Sequence, residues 1–171
     1  ASPMALDVQF EAASMYQAWA ESGKAENFAK AVIGVKAEGV LGWSQIALLL
    51  QRLIDSGSKD AERYRDRRWE ARYNQLQCRL EHAAAVSSET ENQLKRARSE
   101  IQSMMMVTAI TDSRWTARYD AAYRRILEGL NEPVITLAEY RGKYKPKVTS
   151  VVVPNKVVPS VAASTGPAAV S

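Results

Sequence analysis

Cys78 and His82 stand four residues apart and share one face if their segment is helical. A thiol beside an imidazole can serve as an activated nucleophile, or the two can bind a metal ion. They are also the only Cys and the only His in 171 residues. A structural zinc site takes four such ligands, and no further donor stands near this pair except Glu81. A packed thiol and a surface imidazole are therefore expected, with no metal site. Gly-rich phosphate loops of the G-x-G-x-x-G or Walker type are absent from the sequence. Acid–base work would fall to carboxylates, and most of these are interleaved with Arg and Lys. The reading is a non-enzymatic protein that needs no cofactor.

The arginines carry more information. On a helix Arg65, Arg68, Arg72 and Arg79 fall on one side. Arg96 and Arg98, with Lys95, form a second cluster, and Arg114, Arg118 and Arg125 a third. Lys143, Lys145 and Lys147 alternate with Tyr144 and Pro146. Rows of guanidinium groups suit phosphate backbones, and neighbouring aromatic rings can stack on bases. The competing reading is a solvated helix face laced with i,i+4 ion pairs. No zinc-finger, RNP or KH signature is present, so any nucleic-acid contact would be to the backbone.

These residues need helices to position them, and the composition supplies helices. The charge of +4 is regional. Residues 1–58 are net −2, residues 59–147 net +5, and residues 148–171 carry only Lys156. Three short helices are expected in 1–58. The first has Pro3 at its first position and Ser2 as cap. Leu6, Phe10 and Ala13 form one apolar row on it, and Val8, Ala12, Met15 and Trp19 a second, which predicts burial over a wide face. The second helix is expected near Ala25 to Lys36. The third spans Trp43 to Asp55 on the stripe Ile46, Leu49, Leu50, Leu53 and Ile54.

Residues 59–131 read as long amphipathic Arg-rich helices. Trp69, Tyr73, Leu76, Leu80 and Ala83 follow a 4,3,4,3 spacing that continues to Met104 through a weak centre at Ser87 and Thr90. This leaves one long helix with a soft centre, or two helices broken near Ser87, and the break is preferred. A further start lies at Thr111-Asp112-Ser113, and Glu132-Pro133 closes that helix. Arg68-Trp69-Glu70-Ala71-Arg72-Tyr73 is echoed by Arg114-Trp115-Thr116-Ala117-Arg118-Tyr119. This is either a duplicated Arg/aromatic face or a coincidence of two amphipathic helices. Met104-Met105-Met106 reads as core or interface filler. Residues 148–171, with Val151, Val152 and Val153, suit an extended arm or edge strand held by a neighbouring subunit, and composition fits a free tail as well.

The fold expected is all-α: a helical bundle with a long helical hairpin or coiled-coil segment, body 1–147, and an extended C-terminal arm. The seam residues Trp69, Tyr73, Leu76 and Leu80, with Trp115, Tyr119 and the arm valines, are candidates for contacts between copies of the chain. No secretory signal is expected, since Asp7 and Glu11 interrupt the first twenty residues. The nearly apolar run Gly39 to Leu50 is too short to span a bilayer. A cytoplasmic location, not secreted and without membrane partners, is expected.

Three stretches resemble the coat proteins of rod-shaped plant viruses of the tobacco-mosaic type. Gln9-Phe10 followed by Ala18-Trp19-Ala20-Glu21 is similar to that family's N-terminal helix entry. Ser88 to Ile101 resembles the Thr/Glu-rich start and paired basic residues near its RNA site. Ser164-Thr165-Gly166-Pro167-Ala168 resembles its hydroxyl-rich end. The resemblance implies a four-helix bundle that stacks into a rod around single-stranded RNA, in a virion, with Arg96 and Arg98 facing the RNA. Two other readings stand beside it. One is a coiled-coil adaptor subunit without nucleic acid, and the other is a dimeric helical inhibitor that binds duplex RNA or DNA.

Overall fold

The structure, a computed structural model, describes residues 3–57, 59–107 and 110–144, with Pro3 and Met4 described in their backbone only. It is an all-α bundle carrying one small hairpin. The helices are α1 (Pro3–Glu21), α2 (Glu26–Ile33), α3 (Trp43–Asp55), α4 (Ala61–Ala85), α5 (Thr90–Val107), α6 (Ser113–Gly129) and α7 (Leu137–Tyr144). Between α2 and α3 lie β1 (Gly34–Val35) and β2 (Val40–Leu41), joined by a 3-10 turn, Lys36–Glu38. The C-terminal arm, including Val151, Val152 and Val153, lies outside the described residues.

α4 organises the molecule because it is buried on two sides. Its Tyr64, Ala71 and Cys78, seven apart, join α1, α2 and α3 in one core. Its Trp69, Leu76, Leu80 and Ala83 join α5, α6 and Leu137 in the other. Only narrow strips of α4 remain for charged side chains. The continuous seam from Trp69 to Met104 breaks where its centre is weak. α4 ends at Ala85, Ser87–Glu89 form a 3-10 turn, and α5 starts at Thr90. The Thr90 hydroxyl donates to the Ala83 carbonyl at 2.7 Å and ties off one of α4's open carbonyls. The chain thus doubles back, and Leu94, Ala97, Ile101 and Met105 of α5 fill the seam from within the same chain. Asp112 caps α6, accepting from the Arg114 and Trp115 amides at 2.8 and 3.4 Å.

Two expectations for residues 1–58 are corrected. α1 buries one row, Leu6, Phe10, Ala13, Tyr16 and Ala20, and not a wide face. Val8, Met15 and Trp19 of the second row are 60, 44 and 45% exposed, because among the described residues no further layer packs on that side. α2 ends at Ile33 rather than Lys36. Gly34 has φ 93°, a conformation open to glycine, and it turns the chain into the hairpin where Val35 pairs with Val40. Gln9 fastens the hairpin to α1, donating to the Gly39 carbonyl at 3.1 Å and accepting from the Leu41 amide at 2.7 Å. α7 was not foreseen, since its eight residues carry little periodic signal.

Gly42 shows how tight this corner is. A Cβ there would stand 2.3 Å from the Gly34 nitrogen and 2.4 Å from the Val32 carbonyl oxygen. Gly42→Ala must push backbone apart and is expected to cost about 1–3 kcal/mol, read as a lower urea midpoint. An unchanged midpoint would show that the hairpin can be displaced freely.

Candidate nucleic-acid interface

The Arg/aromatic echo becomes a physical contact. α4 and α6 run parallel, since Asp66 meets Trp115, Trp69 meets Tyr119 and Glu81 meets Arg125 in ascending order. The two copies of the pattern therefore lie side by side. Tyr73 packs against Trp115 and Tyr119 with ring centroids 5.9 and 5.6 Å apart, and Trp69 lies 6.0 Å from Tyr119. The Tyr119 hydroxyl donates to the Trp69 carbonyl at 2.8 Å, and burial raises its pKa above the ordinary phenol value. Trp115 Nε1 donates to Asp66 at 2.7 Å. Trp69, Leu76, Leu80, Trp115 and Tyr119 are thus buried inside one chain, with Tyr73 half-buried beside them. These seam positions are spent on the bundle's own core, which leaves the five buried ones little surface for a second copy.

The arginines divide by what they touch. Arg65 is exposed and bonded to Glu62. Arg79 leaves the predicted stripe altogether, reaching across to α5, where it meets Glu100 at 2.6 Å and donates to Gln93 at 3.2 Å. Arg98 pairs with Glu132, and Arg114 with Asp66. Arg67, which sequence reasoning did not single out, pairs with Asp7 at 2.9 Å and lies over the Phe10 ring. Arg118 lies 5.1 Å over the Trp115 ring and 5.8 Å over Tyr73. Arg96 is exposed beside a small recess of about 50 Å³ lined by Phe28, His82 and Gln93.

Arg68 and Arg72 are brought together on the wall of a cleft of about 670 Å³ between α3, α4 and α5. Trp69 and Met104 give the cleft apolar surface, and Ser99 and Ser103 give it hydroxyls. Asp55 and Glu100 also line it, Glu100 being already engaged by Arg79. Arg68 lies 4.4 Å over Trp69 and donates to Gln51, while its Nε is buried without a partner. Burial, with the neighbouring Arg72 charge behind it, lowers the Arg68 pKa below the ordinary guanidinium value. A separate recess of about 10 Å³ shares Arg72, Glu100 and Met104 with the cleft and is lined by Gln75, whose amide oxygen is buried without a hydrogen-bond partner. Gln51, Asp55, Ser99 and Ser103 could not be found from the sequence, because they are ordinary polar residues flanking core stripes on α3 and α5, two helices other than the one that carries the arginines.

Cys78 and His82 both line the small recess beside Arg96 but are engaged differently. Cys78 is buried against the α1–α3 core, and burial pushes its thiol up to about 12. His82 stacks on Phe28 at 5.9 Å. Among the described residues, no group of three or more His, Cys, Asp or Glu side chains could hold a metal ion, and no helix is long and apolar enough to cross a membrane. The thiol is expected to resist an aromatic disulfide reagent at pH 8 until denaturant is added. Its raised pKa also makes stability fall as pH rises from 9 toward 12, where the unfolded thiol ionises first. Rapid labelling of the native protein would contradict that burial.

No family model, curated protein or solved structure matches this chain.

Proposed function

We propose that this chain is a non-enzymatic structural protein that assembles with copies of itself and meets single-stranded nucleic acid through arginine–phosphate contacts. The observation that carries the nucleic-acid part is the pairing of Arg68 and Arg72 in the α3/α4/α5 cleft. Neither has a carboxylate within ion-pair distance among the described residues, and one is partly withdrawn from water. Two like charges held together are relieved by an anion, and a phosphodiester supplies one with the right acceptors. A cleft between helices suits a single strand better than a duplex. The sharpest form of the proposal is a helical capsid subunit, in line with the resemblance to rod-shaped virus coat proteins.

The test is binding of a labelled single-stranded RNA across a salt series. Two phosphate contacts give a slope of log affinity on log salt of roughly −1.4. A flat salt response, or no binding at low salt, would overturn the proposal. One observation favours the adaptor reading without nucleic acid: Arg65, Arg67, Arg79, Arg98 and Arg114 spend their charge on carboxylates of the same chain. Under that reading the RNA stays free at every salt concentration.

A further inference from the structure

We infer that the Arg68/Arg72 cleft is one end of a longer track for a single strand, which runs along α4 to a further phosphate contact at Arg96. The inference rests on the nucleic-acid reading above and gives that site its length, its third cation and its base-facing wall.

The floor of the track is one row of α4. Arg68, Arg72, Gln75, Arg79 and His82 follow one another at alternating spacings of four and three, which keeps them on one face. Arg68 and Arg72 line the cleft of about 670 Å³, and Arg79 and His82 line the recess of about 50 Å³. The two hollows meet at the Arg79–Glu100 ion pair, 2.6 Å long, since Glu100 belongs to the first and Arg79 to the second. From Arg68 to His82 the floor extends about 21 Å along the helix axis, room for several nucleotides.

The two walls differ in character. On α5, Arg96, Glu100, Ser103 and Val107 form a row at the same alternating spacing, so Arg96 continues the line of residues that bounds the cleft. Arg96 is exposed and has no carboxylate partner among the described residues. The opposite wall is apolar. Ile33 of α2 lines the recess and is 62% exposed. Leu48, 48% exposed, stands one turn before Gln51 on the cleft side of α3. A single strand needs cations on one side and apolar surface on the other. Its phosphates turn to Arg96 and to the arginines of the floor, and its bases to Ile33 and Leu48. The linings hold four arginines against two carboxylates, and both carboxylates are already engaged, Asp55 by Gln51 at 2.7 Å and Glu100 by Arg79. That surplus selects an anionic strand as the occupant over a neutral peptide.

The experiment is binding of a labelled RNA decanucleotide to the full-length protein across a salt series. Each phosphate contact adds roughly −0.7 to the slope of log affinity on log salt, so the wild type is expected to give about −2.1 and Arg96→Glu about −1.4. Arg96→Glu also lowers affinity at moderate salt at least about threefold. Lys95→Glu, at a position paired with Glu91 and turned away from the track, changes affinity less than about twofold. Ile33→Ser combined with Leu48→Ser lowers affinity at least about threefold without changing the slope, as loss of apolar contact does. Three results overturn the inference. One is a wild-type slope of about −1.4 that Arg96→Glu leaves unchanged, which would leave the Arg68/Arg72 contact standing alone. Another is equal loss at Lys95 and Arg96, which would mean a diffuse basic field. The third is a double serine variant that binds like the wild type. A flat salt response of the wild type would instead overturn the nucleic-acid reading itself.

Discussion

Reversing both cleft charges, with Arg68→Glu and Arg72→Glu, is expected to lower affinity for single-stranded RNA at least about tenfold at moderate salt and to flatten the salt dependence by about two phosphate contacts. Arg68 and Arg72 share the wall of the α3/α4/α5 cleft, and Arg68 is already short of partners at Nε. Glutamates there would add to Asp55 and Glu100 and repel phosphate outright. Since Arg68 also covers Trp69, Arg72→Glu alone is the control for folding, and it carries most of the loss. Arg72→Lys keeps the charge and should recover part of the affinity. Arg65→Glu, at an exposed position bonded to Glu62, should change binding less than about twofold. Equal losses at Arg65 and Arg72 would mean a diffuse basic field and no cleft site.

Trp43→Ala is expected to be the most damaging single substitution, at about 3–5 kcal/mol, with the thermal midpoint lower by of order 10 °C. Trp43 is fully buried at the start of α3. Its ring meets Phe10 edge-on at 5.3 Å, and its Nε1 donates to Gln17 at 3.1 Å. Both partners are on α1, so truncation opens a cavity and also leaves the Gln17 oxygen unpaired. Trp43→Phe keeps most of the volume and should recover over half of the loss. The α3 residues that line the cleft, Gln51 and Asp55, lie two or more turns along the helix from Trp43, so RNA binding measured well below the midpoint should persist.

The parts of the fold legible in the sequence are those set by local patterns. α3 was readable because Ile46 and Leu50 repeat at helical spacing between Gly42 and Gly57. The break at Ser87 was readable because an apolar seam cannot run through Ser87 and Thr90. The helix start at Thr111-Asp112-Ser113 was readable, and the fold assigns the cap to Asp112. What escaped was set by contacts far apart in the chain. Val8, Met15 and Trp19 look as apolar as the row beside them, and only the packing of α2 and α3 decides which row is covered. The hairpin after Ile33 depends on Gly34 and Gly42 approaching each other, which no single window reveals. For the site, the sequence grouped Arg65, Arg68, Arg72 and Arg79 by spacing. The fold then separated them by neighbours: Glu62 for the first, Glu100 for the last, and the cleft for the middle two.

The most direct test of the central claim is the mass of the purified protein by light scattering, with its absorbance at 260 and 280 nm read on the same peak. A structural subunit that assembles around nucleic acid gives a species many times the 18.9 kDa of one chain, with absorbance dominated by nucleotide. A single peak at the mass of one chain, free of nucleic acid at low salt, would contradict it.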